Sequence, residues 1–426
     1  MADTLRGSAV FAQSGGPTAV INSSLAGAVQ EAVRSDCFDK LLGAYNGILG
    51  VLREELFDLR KERAEDIENL KRTPSAALGS CRYQVRSGAD IERIAEVLKA
   101  HNVRFLFCAG GNDSMATADQ VAGLAAGQGY ELRVIGIPKT VDNDLAGTDH
   151  CPGYGSAVKF SAAQVMEAGR DTEALWTHDT CTVQEIMGRN AGWIAAGTGL
   201  ARRVPEDAPH LIYVPERPVS LDQVARDVKE CLARFKRCFI AAAEGLKNEK
   251  GEHLAGGGGA FGQDDFGHRQ LGGVAELLRG FIEKEVGAKC RANKPGTAQR
   301  AAMHFASLTD VGEAAEVGTA AVRKAVKGQS GVMITLVREE GPVYRVSTGA
   351  AKLAEVANGE RLLPKEYLNE AGNGITEAMK DYVKPLVRGE APVNIGPDGL
   401  PVYVRLQKRF VPKKLAEWAP AVGRKK

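Results

Sequence analysis

Arg104 to Leu124 reads RFLFCAGGNDSMATADQVAGL. Arg104–Ala109 is almost continuously apolar, the pattern of a strand covered on both faces. Gly110 and Gly111 then permit a tight turn. From Ser114 to Leu124 apolar residues return at helical spacing. Strand, glycine turn and helix in that order make half of a parallel crossover unit.

The same rhythm extends both ways. Upstream, Ser8–Ala12 and Leu41–Tyr45 read as strands. Downstream, Leu132–Ile137, Thr182–Ile186, Leu211–Val214 and Cys238–Ala243 do so. Between them the spacing predicts helices over Asp90–Ala100, Gly155–Arg170 and Leu221–Phe235. Alternation of this kind predicts an α/β fold with parallel-rich sheets covered by helices on both faces. Lys247–Gly273 contains GGGGAFGQDDFGHRQLGG and reads as a flexible surface excursion. After about Val337 the alternation weakens, as for an extension packed on the main body, and Gly423–Lys426 reads as a loose basic tail.

Composition excludes several function classes. The chain has 426 residues, and its 55 basic and 53 acidic side chains leave a net charge of +2, so no global field recruits nucleic acid or a membrane. No run of about 18 apolar residues predicts a membrane span. Met1–Val10 lacks the charged, apolar and small-residue order of a secretion signal. The eight cysteines are scattered without a C-x-x-C pair, which predicts reduced, buried thiols in a cytoplasmic protein. The seven histidines form no zinc-binding spacing.

The chemistry concentrates in loops after strands, where open α/β sheets bind ligands. Ser14-Gly15-Gly16-Pro17 precedes a helical stretch whose free amides suit an anion, although alone it also reads as a plain turn. In Gly110–Ser114, Asn112 and Asp113 offer oxygens of the kind Mg²⁺ accepts; Ser114 also reads as a helix cap. Pro138-Lys139-Thr140-Val141-Asp142-Asn143-Asp144 is sharper. Its lysine and threonine suit a phosphate, and its paired aspartates raise one another's pKa, which suits a base. Gln184–Asn190 supplies Gly188 and Arg189 as a second anion site, and Ala242–Gly245 puts Glu244 at a strand end. Arg291 and Arg300, near turns, read individually as surface arginines.

Taken together, these loops resemble the phosphofructokinase family from about Ser8 to Val337. The matching order is SGG (Ser14–Gly16), LGSCR (Leu78–Arg82), GGNDS (Gly110–Ser114), PKTVDND (Pro138–Asp144), GTDHCPGYGSA (Gly147–Ala157), EIMGRNAG (Glu185–Gly192), AEG (Ala243–Gly245) and Arg291 with Arg300. The resemblance implies two Rossmann-like αβα domains: a phosphoryl-donor domain over 1–145, and a sugar-phosphate domain over 146–335 carrying the insertion at 247–273. A C-terminal extension follows over 336–426. It implies Gly15, Gly16, Gly111, Ser114 and Arg82 at the donor, with a structural salt bridge as the other reading of Arg82. Asp142 becomes the base for the 1-hydroxyl of fructose 6-phosphate, Thr140 holds the transferred group, and Asp144 supports Asp142 and the metal's water shell. Met187, Gly188, Arg189 and Glu244 line the sugar site, and Arg300, Arg291 and Thr297 lie at the 6-phosphate. Asn112 and Asp113 fall to Mg²⁺. It also implies a homodimer or homotetramer.

Donor choice rests on Asp113 and Lys139. ATP-using members typically have glycine at both positions, whereas the pyrophosphate-using branch carries charges. Physically, a carboxylate at 113 takes the space of the ATP α-phosphate and repels it, while Lys139 neutralises pyrophosphate. The chain departs from the family at Asn112, where many members have aspartate. Thr180 replaces an arginine and Thr297 a histidine of the ATP enzymes. The competing readings are an ATP-dependent enzyme, a non-catalytic regulatory subunit, against which Asp142 counts, and a nicotinamide dehydrogenase. The last lacks its G-x-G-x-x-G after the first strand.

Overall fold

A computed structural model of the chain describes residues 5–83, 85, 88–256 and 272–418. Strands β1 (Gly7–Gln13), β2 (Phe38–Ala44), β3 (Leu56–Asp58), β4 (Val103–Gly110) and β5 (Arg133–Pro138) come first. Then follow β6 (Cys181–Ile186), β7 (Leu211–Tyr213), β8 (Cys238–Ala243) and β9 (Cys290–Asn293), and finally β10 (Val332–Arg338) and β11 (Val346–Lys352). They form a seven-stranded sheet, β11-β10-β5-β4-β1-β2-β3, and a four-stranded sheet, β7-β8-β6-β9. In the larger sheet β10, β5, β4, β1 and β2 are parallel, and both edge strands, β11 and β3, are antiparallel. The smaller sheet is wholly parallel. The division expected at 335/336 falls inside β10, which lies in the larger sheet.

Apolar alternation along the strands builds a core on each face of the larger sheet. Phe11, Phe105 and Phe107 pack with Leu25, Val29, Val317 and Ala321 of the helices Ile21–Val33 and Leu308–Val326. Val10, Leu106 and Val134 point the other way, onto Ile94, Leu98, Met115 and Val121 of the helices Gly88–Ala100 and Asn112–Gly127. Each of the larger side chains contributes roughly 1.5–3 kcal/mol of burial. The helix Leu221–Phe235 has the expected bounds and starts where the Ser220 hydroxyl accepts from the Gln223 amide. The helix after β4 begins at Asn112, not at the expected Ser114, so Asn112 and Asp113 stand in its first turn.

Most of the glycine-rich stretch, residues 257–271, and the basic tail 423–426 lie outside the described residues. Among the described residues no helix is long and apolar enough to cross a membrane.

The sheet order locates the site. From β1 the chain moves to β2 on one side, then crosses to β4 on the other. The carboxyl ends of β1 and β4 therefore flank a topological switch point, where open sheets leave a crevice for ligands.

Candidate active site

After β1, the Ser14 amide donates to the Ala109 carbonyl (2.9 Å) and the Gly15 amide to Cys81 (3.0 Å). Gly15 has φ +76°, and an added Cβ would lie 3.1 Å from Lys139 Nζ. At Gly16 an added Cβ would lie 2.6 Å from Arg300 Nη1. The positive φ favours glycine at position 15, and at both positions the bare backbone lets the tips of two cationic side chains come close. The Lys139 ammonium donates to the Gly16 carbonyl at 2.9 Å. Burial, then Arg300 and Arg82, push its pKa down to about 8 against the pull of Asp142 and Asp144. Burial and Arg82 likewise lower Arg300. Three cations gathered over glycine backbone form a site that gains most from a polyanion.

Gly110, at the end of β4, has no room for a side chain, since a Cβ would meet Ser114 Oγ at 2.0 Å. Gly111 caps the helix that follows and offers no side-chain acceptor to the amides of its first turn, an arrangement suited to an anion. There Asn112 Oδ1 is buried without a hydrogen-bond partner. An orphan carbonyl oxygen one residue from the Asp113 carboxylate fits a hard divalent cation whose other ligands are phosphate oxygens and water. No group of three or more acidic, histidine or cysteine side chains among the described residues could hold a metal ion.

The loop after β5 carries the titratable centre. The Thr140 hydroxyl accepts from the Asp142 amide at 3.1 Å, and the Thr140 side chain bonds the Asp144 carboxylate. Burial first, then Asp144 and Glu244, raise the pKa of Asp142 to about 7, with Arg189 and Lys139 opposing. Burial also raises Asp144. Between them Asn143 sits at φ +56°, a conformation few side chains adopt.

The smaller sheet brings the opposite wall. Beyond β6 the Met187 amide donates to Gln299 Oε1 (3.0 Å), and the Gly188 amide donates to Glu244 Oε1 (3.4 Å). At Gly245 an added Cβ would meet the Arg189 carbonyl at 1.7 Å, so these two loops fit only backbone to backbone. Burial raises Glu244. Arg189 acts on both Asp142 and Glu244. Arg300 joins the walls, influencing Lys139 on one side while Asp142 and Glu244 act on it.

The structure thus brings together Gly15, Gly16, Arg82, Lys139, Thr140, Asp142, Asp144, Gly188, Arg189, Glu244 and Arg300. It does not bring Arg291 there. That side chain is exposed and bonds Asp171 (2.7 Å) and Asp179, near the amino end of β6. Thr297 is exposed, and its carbonyl accepts from the Arg300 amide (3.2 Å). Sequence reading missed Gln299, whose only local signal is its place beside Arg300. It also gave no role to Asn143, although that residue lies inside the sharpest motif.

A site between two parallel-rich sheets, lined by cations at glycine turns and by an acid titrating near neutrality, is the working part of a phosphotransferase. The chain belongs to the phosphofructokinase family. The family model described as Phosphofructokinase matches residues 8–325. A pyrophosphate–fructose 6-phosphate 1-phosphotransferase of Xanthomonas campestris is 46% identical over 97% of this chain and 99% of its own. The enzyme of that name from Methylococcus capsulatus is 43% identical over 96% and 98%. The crystal structure of a pyrophosphate-dependent phosphofructokinase from Marinobacter aquaeolei, 39% identical, superposes with a TM-score of 0.89 over 97% of this chain and all of that one (100%). Enzymes of this family generally need a divalent metal.

Proposed function

We propose that this chain reversibly transfers a phosphoryl group from pyrophosphate to the 1-hydroxyl of fructose 6-phosphate, releasing phosphate, with Mg²⁺ as the metal. The carrying observation is the Lys139 ammonium, set between the Gly15–Gly16 backbone and the Asp142 carboxylate. That position suits the charge shared by a leaving phosphate and the group in transit. Asp142 takes the hydroxyl proton, for which a pKa near neutrality is suited. Thr140 and Lys139 hold the transferred group, and Asp144 supports Asp142. Met187, Gly188, Arg189 and Glu244 orient the sugar, and Arg300 binds its 6-phosphate. Asn112 and Asp113 hold the Mg²⁺, whose chemistry when bound is to neutralise phosphate oxygens. The names of the relatives support pyrophosphate as donor. The Asp113 charge supports it independently, by repelling an α-phosphate. A cytoplasmic homodimer or homotetramer completes the reading, and light scattering measures the assembly.

A donor panel at fixed fructose 6-phosphate tests this. Turnover is expected with pyrophosphate and Mg²⁺, and none when the metal is omitted or ATP is substituted. Turnover with ATP alone as donor would overturn it. Asp113→Gly with Lys139→Gly is expected to gain ATP use while losing pyrophosphate use. A double variant still preferring pyrophosphate would remove the specificity argument.

A further inference from the structure

Asn143 lies between the two loop aspartates, and everything that holds its unusual backbone comes from elsewhere. Its Oδ1 accepts from the Cys151 amide (2.9 Å). Its Nδ2 donates to the Tyr382 hydroxyl (3.1 Å), which itself donates to the Asp149 carbonyl (2.8 Å). The Arg361 guanidinium reaches the Asn143 carbonyl (3.4 Å) and the Tyr382 hydroxyl (3.4 Å). The Arg361 amide donates to the Asp144 carbonyl at 2.7 Å. Arg361 is fixed in turn by the smaller-sheet side: its guanidinium lies 4.2 Å from the Trp193 ring centroid, and its carbonyl accepts from Trp193 Nε1 (3.1 Å).

We infer that Arg361 and Tyr382, from the C-terminal extension, are positioning residues that clamp Asn143 and so set the geometry of the Asp142–Asp144 pair. Neither residue belongs to the cation and carboxylate cluster described above. They act through backbone: two bonds to consecutive carbonyls and one to the side chain of Asn143 hold a left-handed residue that would otherwise relax. A residue at positive φ turns the chain sharply, so its neighbours need not alternate as in a strand. Relaxation would separate Asp142 from Asp144 and expose both, now only partly exposed, to more water. The clamp rests on Asp142 being the base.

The charged groups facing Asp142 are Asp144 and Lys139 on its own loop, Glu244 after β8, Arg189 after β6 and Arg300 beyond β9; Glu360 faces Asp144. None is altered by Tyr382→Phe, which removes one hydroxyl and keeps the ring. The test compares wild type, Tyr382→Phe, Arg361→Lys and Asp142→Asn with pyrophosphate and fructose 6-phosphate across pH. The clamp predicts that kcat falls about tenfold or more in Tyr382→Phe and Arg361→Lys while KM for the sugar changes less than about twofold. It also predicts that the acidic limb of kcat moves to lower pH, as the pair separates and hydrates. Asn143→Gly, which keeps positive φ available, should retain more turnover than Asn143→Ala. If Asp142→Asn is inactive but both clamp variants keep the wild-type kcat and limb, the clamp alone is overturned. A fall that merely follows the folded fraction, with the limb unmoved, also overturns it. If Asp142→Asn turns over normally, the base assignment and the clamp fall together.

Discussion

At Asp142 function and stability pull in opposite directions, and the sign can be worked out. Its pKa is 3.8 ordinarily and about 7 in this fold. Between those values the folded chain keeps a proton that the unfolded chain releases. Stability from this group therefore falls as pH rises through that window, and above it the buried charge is a standing cost. Asp142→Asn is expected to raise the unfolding midpoint at pH 8 while cutting turnover by ~10²–10⁴-fold. Calorimetry and steady-state kinetics on one preparation check both halves. Lys139 closes the other side, since its ammonium is lost as pH rises past about 8. The free-enzyme profile of kcat/KM should accordingly be bell-shaped with limbs near those two values. A flat profile between pH 6 and pH 9 would contradict both assignments. These two residues were legible in the sequence because lysine, threonine and paired aspartates stand within seven positions (Pro138–Asp144). Gln299 and Tyr382 were not, because each works through a partner far away in the chain.

Buried elements were mostly the legible ones, although β10, buried from Met333 to Leu336, is not among the strands read from the sequence. β1 and β8 are buried at every position; β8 reads as an unbroken apolar run, and β1 as an apolar centre, Ala9–Ala12, between Ser8 and Gln13. β11, with the sequence VSTGAAK, is an edge strand half open to solvent and shows no such run. β9 has only four residues, too few for a period to register. Helix contacts were equally hidden. The helices Ile21–Val33 and Leu308–Val326 cross so closely that a Cβ on Gly27 would lie 2.0 Å from the Ala315 carbonyl, and one on Gly318 1.9 Å from that of Ser24. Gly27→Ala or Gly318→Ala should therefore destabilise by at least the ~1–3 kcal/mol typical of overpacking, even though alanine favours a helix. The denaturant midpoint measures this. The second helix also carries Asp310, whose carboxylate accepts from the Gly153 and Ser156 amides (both 2.9 Å). Its displacement reaches the segment after the Pro138–Asp144 loop, so kcat should fall alongside stability if that loop carries the base as proposed.

Across the whole molecule the C-terminal extension grips the body at several places, and two well-separated ones should be experimentally distinct. Its first part, through Arg361 and Tyr382, holds the loop after β5; Asn143 and Tyr382 stand 239 positions apart, beyond the reach of any local motif. Its last part pairs Phe410 with Phe57 beside β3, at the other edge of the larger sheet. There the Glu62 carboxylate accepts from the Gln407 and Lys408 amides (both 2.9 Å). The Glu54 carboxylate accepts from the Lys414 and Leu415 amides and lies 2.6 Å from His101 Nε2. Burial works against the Glu54 charge, but His101 and the two amides outweigh it and hold its pKa below the usual range. Its stabilisation is therefore full above the ordinary glutamate range and lost as pH falls through the lowered value. Glu54→Gln can satisfy only some of these donors and should cost ~1–3 kcal/mol. Hydrogen exchange should show the Lys414 and Leu415 amides losing protection, and the unfolding midpoint should drop. Because β1, β2 and β4 separate this edge from β5, kcat and its acidic limb should stay at wild-type values, opposite to Tyr382→Phe. Equal kinetic damage from both substitutions would mean that the extension acts as one unit, and that the grip on Asn143 is only part of a general fastening.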